Sequence, residues 1–168
     1  MTIREAVSAD LSSIVGIYNA AVAEGVSTAD TEPVTLKSRI PWFDAHSAKR
    51  YPIWVLEQHL DVVVWASLEP FRGTQRAFRP SAEISVFVAP HMQRQGLGKN
   101  LCWRLMEHAP SLGIQTLVAV YFDHNDGARK LFSRLGFGEV AHLPRVAELK
   151  GLSRGVYMAS YRLPTDEP

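Results

Sequence analysis

The stretch AEISVFVAPHMQRQGLGKNL, residues 82–101, determines how the rest of the chain is interpreted. It begins with an apolar run at 84–88, which is typical of a buried strand, and a proline follows that run closely. Gly96 and Gly98 come next, and an amphipathic pattern then extends from Gly98 to Ala109. The stretch therefore predicts a strand, a glycine-containing loop and a helix, an arrangement that can present backbone N–H groups to an anion.

Two well-known phosphate-binding motifs fit this loop poorly. A P-loop needs Ser or Thr after its Gly-Lys pair, but Asn100 stands there, and no glycine lies five positions before Gly98. The dinucleotide fingerprint needs its first glycine directly after the strand and a third glycine further on. Here seven residues separate the apolar run from Gly96, and Leu101 occupies the third position. Asp123, near the end of the next apolar run, keeps this second alternative open.

A third arrangement fits better, in which successive N–H groups at the start of a helix bind a pyrophosphate. Gly96 and Gly98 would allow close approach of the backbone, and Arg94 and Lys99 would add positive charge. On these residues alone, an ordinary loop leading into a helix remains an equal alternative.

The overall composition predicts one soluble domain spanning residues 1–168. A net charge of +1 gives no reason to expect nucleic acid or an anionic membrane as a partner. Cys102 is the single cysteine, so no intrachain disulfide can form. No apolar run approaches the roughly 20 residues of a membrane span, and the first residues do not resemble a signal peptide. We expect a cytoplasmic protein.

Hydrophobic periodicity predicts a mixed α/β sheet of the α+β type, because strands and helices alternate without a long parallel series. The predicted strands are 3–6, 53–57, 62–68, 84–88, 116–122 and 156–163, and the predicted helices begin near Ser8 or Asp10, at Thr35, at Gly98 and at Asn125 or Asp126. Pro41 is expected to kink or split the second helix. Residues 69–80 contain two prolines, a glycine and three arginines, which predicts a long surface loop.

Several motifs together carry a family resemblance. They are Q-R-Q-G-L-G after an apolar strand, then Asn125-x-x-Ala128-x-x-Leu131, then Leu135-Gly136-Phe137. This combination resembles the GNAT superfamily of acyl-CoA-dependent N-acyltransferases. More narrowly, AEISVFVAPHMQRQGLG, Thr31-Glu32-Pro33 and Phe78-Arg79 resemble the phosphinothricin and methionine sulfoximine N-acetyltransferase group. The resemblance spans nearly the whole chain and implies a central sheet splayed between the strands at 84–88 and 116–122.

The resemblance implies acetyl-CoA as co-substrate. Pantetheine would pair with the backbone of Val86, Phe87 and Val88, like an added strand. The pyrophosphate would rest on the loop residues Gln93, Arg94, Gln95, Gly96, Leu97, Gly98 and Lys99. Asn125 matches a family asparagine that contacts the cofactor. We expect no metal, because the six histidines show no metal-binding spacing.

Acyl transfer to an amine requires an unprotonated amine. For an alkyl amine of pKa about 10.4, deprotonation at pH 7 costs roughly 4–5 kcal/mol, and for an α-amine only about 1 kcal/mol. Glu83 matches the family's general base, although a solvent-facing carboxylate at a strand end is the alternative. A backbone N–H near Phe87 or Val88 could stabilise the negative charge on the thioester oxygen.

The general acid stays unassigned. Many GNAT enzymes have a tyrosine where Phe132 stands, and phenylalanine cannot donate a proton. Tyr121 and His124 are nearby in sequence, but each is more simply a sheet or loop residue.

The substrate pocket departs from the family pattern. Ala29 stands where the group has an aromatic residue, and Ser153 and Gly155 stand where it has Trp and Asp. These changes predict an enlarged or reshaped pocket. Arg72, Arg76, Arg79 and Arg154 could each bind a carboxylate or phosphinate as a bidentate donor, and a solvated loop charge is the alternative for any one of them. Of these, Arg72 is expected to bind substrate together with Phe78 and Glu83.

We therefore predict an N-acetyltransferase that acts directly, with Glu83 as base, on a small amino-acid-like primary amine. The resemblance also implies a homodimer. Two alternatives remain: an enzyme that acetylates protein or peptide amines, and a non-catalytic acyl-CoA-binding sensor.

Overall fold

The computed structural model describes residues 1–73 and 75–164. Strands and helices follow one another as β1 (Thr2–Glu5), α1 (Leu11–Glu24), α2 (Leu36–Ala45), β2 (Ile53–Gln58), β3 (Asp61–Pro70), β4 (Ser81–Val88), α3 (Leu97–His108), β5 (Thr116–Phe122), α4 (Asp126–Arg134), β6 (Gly138–Leu149) and β7 (Leu152–Arg162). The strands form one seven-stranded sheet in the order β1-β2-β3-β4-β5-β7-β6. Only β4 and β5 pair in parallel, so the predicted mixed sheet is confirmed.

The sheet opens between β4 and β5. Strand β4 pairs with β3 from Ala82 to Val88, but its ladder with β5 covers three positions and ends at Glu83 opposite Val118. Strand β5 stays paired with β7 over all seven of its residues. Beyond Glu83 the two central strands therefore diverge, which confirms the predicted splay and leaves a wedge between them.

The two faces of β4 contact different helices because successive side chains on a strand point to opposite faces. The Phe87 ring lies 5.2 Å from the ring of Tyr18 in α1, centroid to centroid. On the other face, a Cβ added to Gly98 of α3 would lie 3.1 Å from Cγ2 of Val88. Helix α3 thus packs against the apolar face of β4, and α1 and α2 lie over the face that carries Glu83, Ser85 and Phe87.

Two of the predicted helix starts, at Thr35 and at Asn125, are confirmed by side-chain caps, and α3 begins at Leu97, one residue before the predicted start. The Thr35 hydroxyl accepts a hydrogen bond from the Ser38 N–H at 3.1 Å, and Asn125 Oδ1 accepts one from the Ala128 N–H at 2.9 Å. After α4, Gly136 takes a left-handed φ of +90°.

Of the two outcomes predicted at Pro41, the split is wrong, since α2 runs without a break from Leu36 to Ala45, and the kink stays a prediction. A proline in this position leaves the carbonyl of Lys37 without its helical donor. Because α2 has no buried residue, water can solvate that carbonyl, and the helix tolerates the proline.

Strand β6 was not predicted at all. Its sequence, GEVAHLPRVAEL, contains Pro144 and lacks a clean alternation of apolar and polar residues. The strand lies at the edge of the sheet, where a proline need not interrupt a ladder, and its register with β7 shifts twice. Pairing with β7, rather than local sequence preference, makes these residues a strand.

The predicted loop at 69–80 begins too early. Strand β3 continues through Glu69 and Pro70, and the connecting segment runs from 71 to 80. Pro70 suggested a loop from sequence, but as the last residue of the strand it interrupts no interior hydrogen bond. This correction moves Glu69 into the sheet.

Candidate functional site

Glu83 lies where β4 and β5 separate. Its side chain is half-buried and, within the described residues, its carboxylate has no hydrogen-bond or ion-pair partner. Burial, and secondarily the negative charge of Glu69, raises the pKa of Glu83 above its ordinary value. A carboxylate without a cation partner, at the mouth of an open wedge, is suited to accept a proton.

Four polar side chains form a ladder across β3 and β4 on the face covered by α1 and α2. The pairs are Ser67 with Ser85 and Glu69 with Glu83, and we call these four residues the polar ladder. Directly opposite residues of an antiparallel pair have side chains on the same face. The ladder is therefore a continuous polar strip in a face that is otherwise aromatic.

Glu69 is held by α2. The Trp42 Nε1–H donates to Glu69 Oε1 at 3.0 Å, and His46 Nε2 lies 3.8 Å from the same oxygen. His46 Nδ1 lies 2.8 Å from the Trp42 carbonyl oxygen, which can only accept, so Nδ1 carries the hydrogen. Sequence reasoning missed Glu69, although the alternation of Trp65, Ser67 and Glu69 continues the period of two along β3.

The backbone of β4 presents free polar groups to the wedge. The Ala89 N–H donates to Val63 O, on the β3 side, at 2.9 Å, whereas Pro80 O accepts from the Gln115 N–H, on the β5 side, at 2.7 Å. Because backbone groups alternate along a strand, those of Val86 and Val88 face β5 and those of Phe87 face β3. Of the two predicted donors to a thioester oxygen, the geometry favours Val88.

The glycine loop leaves most of its backbone N–H groups without an acceptor in the described chain. Arg94 and Gly96 adopt left-handed φ values of +59° and +78°, and α3 begins at Leu97. Within the described residues, the N–H groups of 94–99 donate to no acceptor, and the first helix-closing bond runs from the Asn100 N–H to Gly96 O. The N–H groups of 94–99 are therefore available to an anion at the start of α3, whereas the Gln93 N–H donates to Pro90 O. The binding of a pyrophosphate by residues Gln93 to Lys99 stays a prediction.

Asn125 has a structural role. Its Oδ1 caps α4, its Nδ2 donates to the Ser27 hydroxyl at 3.4 Å, and the residue is 9% exposed. The contact with a cofactor stays a prediction.

Arg72 and Phe78 lie together in the segment that connects β3 to β4. The Arg72 guanidinium lies 5.5 Å from the centroid of the Phe78 ring, and the Phe71 ring lies 5.8 Å from it. No described contact joins either predicted residue to Glu83. Their part in substrate binding stays a prediction.

The three positions that depart from the family pattern differ in their surroundings. Ala29 and Ser153 are exposed, but Gly155 is buried. A side chain at 155 would collide with the Asp123 carboxylate and with Leu143 O. The space beside Gly155 is therefore not empty, because the Asp123 carboxylate occupies it. The same carboxylate lies 3.2 Å from His142 Nε2.

The two candidate general acids make contacts elsewhere. The Tyr121 hydroxyl donates to Glu139 Oε1 at 3.3 Å, and burial is the main cause that raises the pKa of Tyr121 to about 12. His124 Nε2 lies 3.3 Å from Gly25 O and so carries a hydrogen. Neither contact directs a proton toward the wedge, and the general acid stays unassigned.

A surface depression of about 630 Å³ lies away from this site, between α3 and the first two strands. It is lined by Met1, Ile3, Trp54, Asn100, Arg104, Glu107 and His108. It contains none of the predicted site residues. In the part of the chain that the structure describes, no three His, Cys, Asp or Glu side chains gather as a metal site would require, and no helix is long and apolar enough to span a membrane.

Comparison with known proteins gives consistent findings. Residues 15–137 match the family described as Acetyltransferase (GNAT) family. A Bacillus subtilis (strain 168) protein with the provisional name phosphinothricin acetyltransferase is 40% identical over 152 residues, covering 90% of this chain and 92% of that protein. The L-methionine sulfoximine/L-methionine sulfone acetyltransferase of Salmonella typhimurium is 35% identical over 146 residues, with coverages of 87% and 85%. The structure of Salmonella typhimurium yncA with its cofactor acetyl-CoA has a TM-score of 0.93 and 32% identity, covering 100% of this chain and 96% of that one.

Proposed function

This chain belongs to the GNAT family of N-acetyltransferases, and from that premise we propose that it moves an acetyl group from acetyl-CoA to a small amino-acid-like primary amine, with Glu83 as general base. The observation that carries the proposal is that the β4–β5 ladder ends at Glu83, so an open strand edge and an unpartnered carboxylate meet at one point. The names of the two relatives, phosphinothricin and methionine sulfoximine acetyltransferases, support an amino-acid-like substrate.

The residues around the wedge fit acetyl-CoA. Val86 and Val88 offer unpaired backbone groups to an extended amide-containing chain, and the 94–99 N–H groups offer donors to a pyrophosphate. The side chains of Arg94 and Lys99 are exposed beside those donors and would complement the phosphate charge. When bound, acetyl-CoA supplies an activated acyl thioester.

Glu83 would prepare the amine by removing a proton from it. Because burial and Glu69 raise the pKa of Glu83, the gap between this base and an ammonium group is smaller than for an ordinary glutamate. The Val88 N–H, which faces the wedge, would donate to the oxygen on which negative charge develops. Both groups lie on β4, whose pairing with β3 holds them in fixed register.

The test is release of CoA thiol by the purified protein across a panel of amines, with each product identified by mass spectrometry. The panel contains phosphinothricin, methionine sulfoximine, methionine sulfone, common amino acids, polyamines and short peptides. We expect thiol release and an N-acetylated product with at least one amino-acid-like amine. Release with peptides alone would favour the protein-acetylating alternative, and acetyl-CoA binding without release would favour the sensor.

A homodimer working in the cytoplasm belongs to the same proposal. The family resemblance supports the homodimer, and the single cysteine supports the reducing compartment. Sedimentation of the purified chain tests the dimer. A single species with the mass of one chain at micromolar concentration would contradict it.

A further inference from the structure

Glu69 and Glu83 are neighbouring carboxylates on one face of the sheet. They lie directly opposite each other in the β3–β4 ladder, which places their Cβ atoms about 4.5–5.5 Å apart. Within residues 1–73 and 75–164, no Lys or Arg forms an ion pair with either of them. The described chain therefore offers the pair no permanently charged cation, and the only ionisable nitrogen described beside it is His46 Nε2, 3.8 Å from Glu69 Oε1.

Two buried polar atoms beside Glu69 lack partners among the described residues. His46 Nε2 faces Glu69 Oε1 from 3.8 Å, with only 8% of the His46 side chain exposed. The Ser67 hydroxyl, the next residue of the polar ladder, is fully buried and also has no partner. These two atoms give Glu69 polar neighbours beneath α2.

We propose that Glu69 is a positioning residue of the acceptor site, forming with Glu83 a two-carboxylate seat for the ammonium group of the substrate. The proposal rests on the proposed function and adds to it the form in which the amine binds. At pH 7 an alkyl amine is almost entirely protonated, so a site that binds the ammonium form captures the abundant species. The ammonium group has three N–H donors, enough for both carboxylates.

The protons of the reaction balance in this arrangement. The nitrogen loses two protons overall, and Glu83 accepts the first of them, which frees the lone pair that forms the N–C bond as the C–S bond breaks. One of the two protons ends on the sulfur of the CoA thiol and the other in solvent. Besides its two members, the described contacts place one titratable group beside the pair, His46 of α2, and the β5 neighbour Val118 carries no charge.

The main variant is Glu69→Gln, which keeps an oxygen acceptor for Trp42 Nε1 and removes the charge. We expect the KM for the amine to rise about tenfold, with the KM for acetyl-CoA unchanged. Without a neighbouring negative charge, Glu83 loses its proton more easily, so the acidic limb of kcat/KM should move to lower pH. A wild-type KM together with a wild-type pH profile would overturn the proposal.

Two further variants distinguish the effect of the Glu69 charge from the effect of its hydrogen bond to Trp42. Trp42→Phe removes the hydrogen bond to Glu69 but leaves its charge, so the acidic limb should stay at the wild-type pH. Glu69→Asp restores the charge and should recover most of the amine affinity lost in Glu69→Gln. If Trp42→Phe and Glu69→Gln give the same pH profile, Glu69 has only a structural role and the proposal fails.

A measurement that needs no turnover keeps this inference distinct from the proposed function. Carbon-13 NMR of the glutamate carboxyl groups follows the titration of Glu83 in wild type and in Glu69→Gln, with methylammonium chloride as the probe. We expect the Glu83 midpoint to fall in the variant, and methylammonium to shift both carboxyl signals in wild type only. Unchanged titration and no methylammonium response would overturn the inference even if the protein releases CoA thiol. The expected response without thiol release would instead contradict the proposed function.

Discussion

The two sides of β4 are built from different parts of the polypeptide. Toward β5 the strand offers backbone groups of Val86 and Val88, continued by the N–H groups of the glycine loop. Toward α1 and α2 it offers side chains, and these work together with residues of β3 and α2. A backbone surface suits a cofactor whose shape does not vary, whereas a side-chain surface can be changed residue by residue to suit different amines. Variants on one side should therefore alter kinetics toward acetyl-CoA, and variants on the other should alter kinetics toward the amine.

The largest effect is expected from Glu83→Gln on the side-chain surface. Losing the general base should lower kcat by about 10²–10⁴-fold, with acetyl-CoA affinity unchanged because the wedge edge is intact. Steady-state kinetics and calorimetric titration with acetyl-CoA check the two parts. Glu107→Gln is the control, since it removes a carboxylate of α3 that forms an ion pair with Arg104, and it should keep wild-type kcat. Wild-type turnover in Glu83→Gln would rule out its role as base.

Gly96→Ala tests the backbone surface. Gly96 has a φ of +78°, which strains an alanine by about 1 kcal/mol or more and should displace the loop N–H groups. We expect the KM for acetyl-CoA to rise about tenfold and the KM for the amine to stay unchanged. The matched control is Gly151→Ala, where φ is +73° and an added Cβ also meets nothing within 4 Å. If both variants raise the KM for acetyl-CoA equally, the loop has no specific role in binding acetyl-CoA.

The raised pKa of Glu83 should have a smaller effect, which is a shift in the pH profile of the wild-type enzyme. A base must be deprotonated to work, and the pKa of Glu83 is raised. The acidic limb of kcat/KM should therefore lie above the value of about 4.3 typical of a free glutamate. The measurement is kcat/KM for the amine from pH 4 to 8, in steps of about half a unit. A limb at or below the ordinary value would mean that Glu83 is more solvated than the structure indicates.

Asp10→Asn should affect stability and leave turnover unchanged, which sharpens the contrast with Glu83. Arg4 binds Asp10 through two hydrogen bonds of 2.7 and 2.9 Å, and these lower the pKa of Asp10. Removing the charge should cost about 1–3 kcal/mol in the free energy of unfolding at pH 7. Because the folded pKa is lowered, this stabilisation is present above about pH 3.9 and is lost as pH falls through the folded pKa. Urea denaturation at several pH values checks it, and an unchanged free energy of unfolding would contradict it.

The strand, loop and helix of the cofactor side could be predicted from sequence because their determinants are contiguous. A strand at 84–88, a loop with Gly96 and Gly98 and an amphipathic helix from Gly98 to Ala109 follow one another, and each has a local pattern. The splay itself came from the family resemblance, since no local pattern shows where two distant strands stop pairing.

The acceptor side could be predicted only in part because it is assembled from residues that are far apart in the sequence. Glu69 was assigned to a loop, and its place opposite Glu83 depends on the β3–β4 register. Its contacts with Trp42 and His46 depend on how α2 packs over the sheet. Strand β6 was missed for a similar reason, since its conformation depends on pairing with β7.

The central claim is that acetyl-CoA binds the backbone of β4 on the side toward β5. Its most direct test is amide hydrogen exchange with and without acetyl-CoA. The N–H groups of Val88 and of residues 94–99 have no partner in the described chain and should exchange quickly in the free protein. We expect acetyl-CoA to slow exchange at these positions, while the amides of α2 remain unchanged. Protection centred instead on the depression beside Trp54, or on the polar ladder, would contradict this account of the cofactor side.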